Sequence, residues 1–352
     1  MTRTGNNKTL RPYLEGIQMA EATGHANLTI IPLSRPVQKT VDYLLAAEAI
    51  EAGVLTVTEV SSAGSVPQLM AINDSPKLIL LLDGEELVGA KQNRILNTTA
   101  LLAPKSRTTI PVSCVEQGRW HQASAAFCAG THSPSRLRAL NSKHVSHSRR
   151  ESGRADSDQG AVWDHVAECA VAYAAVTPTH ALHDVVEQRR PLFDAYVNAL
   201  PYPLGACGVV VAIDGRFAAL DLFDKPSTLE ALWPRLVTGY AVDAAATAKN
   251  AAAKASLSAK GAAALLEHIG EIKCTQHPGV GVGQEWRFEA ADLLGHALVA
   301  EEVCVHLGAF PNEPEDDGRG ARGPRILPPS RRRRHGGDDV LIDPIPPDRT
   351  VE

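Results

Sequence analysis

Residues 208–223 constrain the fold more than any other stretch: Gly208-Val209-Val210-Val211-Ala212-Ile213, then Asp214-Gly215, then Arg216 through Phe223. An apolar run, an Asp-Gly pair and a second apolar run are the signature of a tight hairpin, because that turn needs left-handed backbone at both central positions. A chain carrying it builds antiparallel sheet and has to cover at least one sheet face.

Other segments extend the same rhythm. Residues 28–33, ended by proline, and 55–60 read as strands. Residues 78–82, 94–102 and 108–115 form a β-rich block separated by Asp83-Gly84 and Ala103-Pro104-Lys105-Ser106, and residues 285–290, 296–301 and 303–310 return to strand at the far end. Helices are expected where apolar spacing turns helical. Thr40 would cap one carrying Val41, Leu44, Leu45 and Ile50, stopped by Gly53. Asp158 would cap a second, with Val162, Trp163, Val166, Cys169 and Tyr173 as its stripe; Thr177-Pro178 would open a third that buries Leu182, Val185, Val186, Leu192, Phe193 and Tyr196. Ser227-Thr228-Leu229-Glu230 has the capping-box pattern for a fourth, which Pro234 should end, kink or restart. Residues 121–157 are rich in Ser, His and Arg, lack periodicity, and read as a connection with some helix.

The expected class is therefore α+β, a mostly antiparallel sheet packed against helices between residues 160 and 247. Residues 1–10 read as a disordered N-terminus and 11–310 as one ligand-binding domain with an Ala/Lys-rich insert at about 244–264. Residues 311–352 read as a disordered charged tail, the run Arg331 to Arg334 included.

Bulk properties exclude several functions. A formal net charge of −5 over 352 residues gives no basic field for nucleic acid or an anionic membrane. No apolar run reaches the length of a membrane span, the first residues are polar, and the six cysteines show no Cys-x-x-Cys pair; a reducing, cytoplasmic setting is expected.

Chemistry concentrates in two stretches. Gly84-Glu85-Glu86-Leu87-Val88-Gly89-Ala90-Lys91-Gln92-Asn93-Arg94 puts carboxylates, two amides and two cations between strands, where glycines admit close approach of a ligand. Arg94 can grip a phosphate or carboxylate bidentately, and Gln92 and Asn93 can both donate and accept, as a base or ribose requires. The ordinary alternative is a polar turn whose charges satisfy one another. The second stretch, Thr109 to Trp120, puts Val112, Cys114 and Glu116 on one strand face. Cys114 is a nucleophile only with a depressed pKa and a base, otherwise a buried inert thiol; Trp120 either stacks on a planar ligand or packs in the core. Ligand-binding candidates are thus Glu85, Lys91, Gln92, Asn93, Arg94, Arg119 and Trp120. The catalytic candidates are Glu116, as orienter of Arg94 or general base, and Cys114.

A metal site could instead draw on Glu85, Glu86, Glu116, His121, His132, His144, His147, His180 and His183, but no spacing among them is diagnostic and none is assigned. His306 and Asp221 could reach the same pocket from later strands. No Walker loop, Gly-x-Gly-x-x-Gly or Gly-x-Ser-x-Gly occurs, so no cofactor is named, and Gly279-Val280-Gly281-Val282-Gly283 reads as a plain turn.

Gly84-Glu85, Gly89 to Arg94, Ile110 to Glu116, Gly118-Arg119-Trp120, Gln159-Gly160, Trp163, Asp221, Phe223, Trp233, Tyr240, Glu285-Trp286-Arg287, His306 and Phe310 together resemble the ARG and Rhodanese-Phosphatase-superfamily-associated protein domain. ARG stands there for ADP-ribosylglycohydrolase. The resemblance covers most of residues 10 to 310. It implies an α+β domain linked to NAD-using or ADP-ribose pathways that binds a nucleotide-type ligand, with an enzyme of ADP-ribose metabolism as a possible partner. It carries over no catalytic set, and reaction type stays open. The expected function is binding or processing of an ADP-ribose-like nucleotide; a metal-dependent hydrolase and a noncatalytic partner-docking module are the alternatives.

Overall fold

The hairpin at 208–223 forms the middle of a nine-stranded antiparallel sheet. In the computed structural model, which describes residues 8–36, 39–61, 64–248 and 257–313, strands Gly208–Ile213 and Arg216–Phe223 pair around Asp214 and Gly215, both left-handed at φ 52° and 74°. Outward from Gly208–Ile213 lie Leu28–Ser34 and then Gln18–Met19, with Thr23–His25 also paired to Leu28–Ser34; on the other side come Val303–Pro311, Leu293–Ala300, Gln284–Glu289 and Thr275–Pro278.

Both faces of this sheet are covered, which is why its strands are nearly continuous apolar runs. Alternate residues go to opposite cores. Leu28, Ile30, Val209, Val211, Ala219, Phe223, Leu294 and Leu298 pack with the helices Gln159–Ala172, Leu182–Gln188, Arg190–Ala199 and Pro226–Thr247. Ile31, Leu33, Val210, Leu220, Leu222, Leu293 and Ala297 face the helix Ala259–Glu271. A third core lies between two smaller sheets. One has six strands in the order Phe127–His132, Glu85–Gly89, Arg94–Leu96, Ser106–Cys114, Gln68–Asn73 and Leu55–Glu59; the other has four, Val280–Gly281, Ala100–Leu102, Leu78–Leu81 and Tyr43–Leu45. Apart from two parallel pairings in the small sheet, every ladder is antiparallel. The fold is α+β.

Several local expectations change. Residues 41–50 are not one helix: Tyr43–Leu45 is a strand parallel to Leu78–Leu81, and the helix is only Ala46–Glu51. Asp224 causes the difference, accepting hydrogen bonds from Val41 N at 2.9 Å and Tyr43 Oη at 2.5 Å. Residues 94–102 split into two strands at Asn97-Thr98-Thr99, whose side chains bond Ser113 and Ala155, Glu285, and Asp83 with His306. Within 121–157 stand the strand Phe127–His132 and an eighteen-residue helix, Ser135–Ser152. The third apolar helical stretch starts at Leu182, not at Pro178, and leaves Leu192 43% exposed, while the helix Pro226–Thr247 runs through Pro234 without a break. Asp158 caps its helix as expected, accepting from Gly160 N at 2.8 Å.

The Ala/Lys-rich stretch is helical at its two ends, up to Thr247 and from Ala259; residues 249–256, residues 1–7 and the tail from 314, with Arg331 to Arg334, lie outside the described residues. No helix among the described residues is long and apolar enough to cross a membrane.

At Gly239 the long helix touches the backbone that follows strand Phe127–His132. A methyl group there would stand 2.7 Å from the Ser133 carbonyl oxygen and 3.1 Å from that of His132. Alanine favours a helix interior over glycine by about 1 kcal/mol. Gly239→Ala is nevertheless expected to destabilise the protein by about 1–3 kcal/mol, as overpacking does, read as a lower urea midpoint at unchanged m-value; a raised midpoint would contradict this contact.

Candidate functional site

Strand pairing places the two chemistry-rich stretches side by side. Cys114 lies opposite Arg94, and the turn between Gly89 and Arg94 folds against the segment from Glu116 to Trp120. Arg119 fastens that turn with its whole guanidinium. Nε and Nη2 donate to the two Glu116 carboxylate oxygens at 2.8 and 2.7 Å, Nη2 also reaches Asn93 Oδ1 at 3.1 Å, and Nη1 reaches the Ala90 carbonyl at 2.7 Å. Asn93 Oδ1 also accepts from Gly89 N, and Gln92 Nε2 donates to the Glu116 carbonyl at 2.7 Å. The side chains expected to meet a ligand thus first build the loop.

Arg94 is the opposite case. It is fully buried, and Nη1 bonds Gln92 Oε1 at 3.2 Å, while Nε and Nη2 have no hydrogen-bond partner among the described residues. Burial pulls its pKa below the ordinary arginine value, against the attraction of Cys114, Glu59 and Glu116, none of which closes to an ion pair. Trp120, 48% exposed, lies over it with Cζ 5.8 Å from the ring centroid, and Lys91 Nζ is 5.4 Å from the same ring.

Cys114 is not set up as a nucleophile. Burial pushes its thiol up despite Arg94, and Sγ donates to the Glu116 carbonyl at 3.0 Å. Its backbone is clamped by the Gln159 side chain, whose Oε1 accepts from Cys114 N at 2.8 Å and whose Nε2 donates to Cys114 O at 2.7 Å. Glu116 is held as a carboxylate: burial would raise its pKa, but hydrogen bonds from Arg119 and Asn93 N outweigh that and lower it.

Glu85 goes elsewhere. It sits at the other end of its strand opposite His132, accepts from Leu82 N at 3.2 Å and faces Arg235 at 3.5 Å. Glu86 bonds His183 at 3.1 Å, His147 pairs with Glu151, His144 meets Ser157, and His132 is buried beside Arg138 with its pKa lowered to about 3. The residues read as metal ligands therefore do not gather.

A second cluster, built from residues far apart in sequence, lies on the large sheet. Asp221, His306, His296, Arg287 and Glu285 line one face across four adjacent strands. Helix Ser135–Ser152 crosses that face with Arg138, Ser142, Ser146 and Arg149, which share one side of the helix. Arg138 Nε donates to Asp83 at 3.0 Å and Nη1 and Nη2 to Asp221 at 2.8 and 2.6 Å; Arg149 Nε bonds Glu285 at 2.7 Å, and Arg287 bonds Glu285, Ser142 and Ser146. Tyr240 Oη donates to Asp221 at 2.5 Å. Gly84 makes room: at φ +76° it already favours glycine, and a methyl there would stand 2.7 Å from Arg138 Cγ. Burial alone would raise the Asp83, Asp221 and Glu285 pKa values, but the guanidiniums prevail and lower all three, Glu285 to about 2.

The family model of the ARG and Rhodanese-Phosphatase-superfamily-associated Protein domain matches residues 16–310. No curated protein matches the chain, and no solved structure does.

The two buried arginines should respond oppositely to removal of charge. Arg138→Met leaves Asp83 and Asp221 buried without their cation and is expected to cost about 3–5 kcal/mol. Arg94→Met removes a buried cation that lacks an anion, so the urea midpoint without ligand should hold or rise; a loss as large as that of Arg138→Met would contradict this assignment. The acid limb of stability follows from the lowered carboxylates. Their contribution is complete above the ordinary glutamate value of about 4.3 and is lost as pH falls through the folded values. The wild-type midpoint should therefore fall between there and pH 2, and Glu285→Gln should flatten that fall; an unchanged slope would contradict it.

Proposed function

We propose that this chain, which belongs to the ARG and Rhodanese-Phosphatase-superfamily-associated Protein domain family, binds a ligand joining an anionic group to a flat ring, of the ADP-ribose or related nucleotide type. The observation that carries this reading is Arg94. A buried guanidinium with unused Nε and Nη2 donors costs several kcal/mol relative to a paired one, and those two N–H groups form the edge that meets two oxygens of a phosphate or carboxylate. Trp120, about half exposed, lies over it, an indole of the kind that stacks on a base, with Lys91 beside the same ring.

The reading is one of recognition rather than turnover. The Cys114 proton is engaged by a backbone carbonyl, and both Glu116 oxygens are engaged by Arg119. The word ARG in the family description supports the choice of ADP-ribose among anionic ligands and points to a partner enzyme of that metabolism.

Calorimetry with ADP-ribose, NAD, AMP and ribose tests the proposal. Wild type is expected to bind the phosphorylated compounds and not ribose. Arg94→Met should weaken binding about 10- to 100-fold, the scale of losing hydrogen bonds to a charged group, and Trp120→Ala should weaken AMP and ADP-ribose alike. Absence of heat from every compound, at protein concentrations that detect millimolar dissociation constants, refutes it.

A further inference from the structure

Asp83, His296 and His306 meet at one point inside the polar layer. Asp83 Oδ1 lies 3.3 Å from His296 Nε2 and 3.7 Å from His306 Nδ1, and the three ligand atoms all lie within 4.8 Å of one another. Ligand atoms bonded tetrahedrally to zinc at about 2.0–2.1 Å stand about 3.3 Å apart, so the carboxylate–imidazole separations are close to those around a shared ion. Among the described residues this is the only group of three or more His, Cys, Asp or Glu so arranged.

Three further observations bear on the same point. His296 is 1% exposed, yet its Nε2 has no hydrogen-bond partner and is aimed at Asp83. His306 is oriented from behind, its Nε2 bonding Asp221 Oδ1 at 3.1 Å; a carboxylate on the far nitrogen is the usual support of a metal-binding imidazole. Gly308 leaves space under both rings, since a methyl there would stand 3.3 Å from His296 Cε1 and 3.4 Å from His306 Cε1.

We propose that Asp83, His296 and His306 hold a divalent transition-metal ion, with Asp221 as the positioning carboxylate behind His306. Two imidazoles and one carboxylate are the donor set of zinc, iron, manganese or cobalt rather than of calcium or magnesium, which prefer oxygen alone. Thr99 Oγ1, 2.9 Å from His306 Nδ1 and 3.2 Å from Asp83 Oδ1, faces the fourth position and can supply an oxygen or hold a water there. Arg138 keeps Asp83 ionised and fixed, donating from Nε to Oδ2 at 3.0 Å and from Nη2 to Oδ1 at 3.2 Å, while Oδ1 also faces the two histidines.

The test is metal content of the full chain after incubation with zinc and gel filtration, measured by mass spectrometry on protein freed of any affinity tag. Wild type should retain about one equivalent, one ion for the one site. His268→Ala, which removes an exposed histidine paired with Asp292, should retain the same, and His296→Ala should lose it. Asp221→Asn should bind about 10- to 100-fold more weakly. Because a core variant can fail to fold, wild type is also loaded with cobalt, whose intense visible bands report four-coordination. Retention of zinc in folded His296→Ala, no retention in wild type, or a cobalt spectrum without those bands each overturns the proposal.

Discussion

Arg138 holds the molecule's separate parts in one arrangement. Its guanidinium, with no solvent exposure, spans Asp83 at the end of one small-sheet strand and Asp221 in the middle of the large sheet, from a helix that belongs to neither. Charges buried this deeply are weak contributors to net stability and strong selectors of geometry, because any docking that leaves one unpaired costs several kcal/mol. The rest of the polar layer follows the same logic. Asp83, Asp221 and Glu285 face Arg138, Arg149 and Arg287, so three carboxylates meet three guanidiniums and the layer closes electrically. The register of the helix on the sheet is thereby fixed by polar partners at three successive turns, where a purely apolar contact would tolerate sliding.

This arrangement explains what the sequence conceals. The hairpin at 208–223 was legible because its signal is local: a left-handed turn pair and alternating apolar residues. Asp158 was legible for the same reason, since a cap acts within three residues. Helix Ser135–Ser152 was not, because it buries Arg138, Asn141, Ser142, Ser146 and Arg149 beside only two apolar residues, Leu137 and Val145, and apolar periodicity cannot register a helix whose buried side is mostly polar. The break at Asn97-Thr98-Thr99 is equally hidden. Its partners Glu285 and His306 lie 187 and 207 residues later. Asp83 reads in sequence only as half of a turn, and nothing local marks it as the meeting point of an arginine and two histidines.

The candidate ligand site was more legible, because its two stretches are neighbours in sequence and on adjacent strands. What sequence could not divide was the labour within it. Arg94 and Arg119 look equivalent as letters. In the fold one is saturated by Glu116, Asn93 and backbone carbonyls, and the other keeps two donors unused. A guanidinium whose donors are all used and one with donors to spare are distinguished by counting hydrogen bonds, which requires coordinates. The same count moves Glu85 away from the site, toward Arg235 and the long helix.

The Gln159 clamp on Cys114 has a consequence for how the molecule behaves among copies of itself. Strand Ser106–Cys114 outruns its neighbour Gln68–Asn73, whose last partner on it is Pro111, so beyond that point the longer strand could present open main-chain groups. One amide side chain satisfies both the N–H and the carbonyl of Cys114, acting as a single-residue surrogate strand. An edge closed in this way offers no template for a foreign strand. Gln159 thus closes the border of the sheet at this point with a side chain instead of a strand.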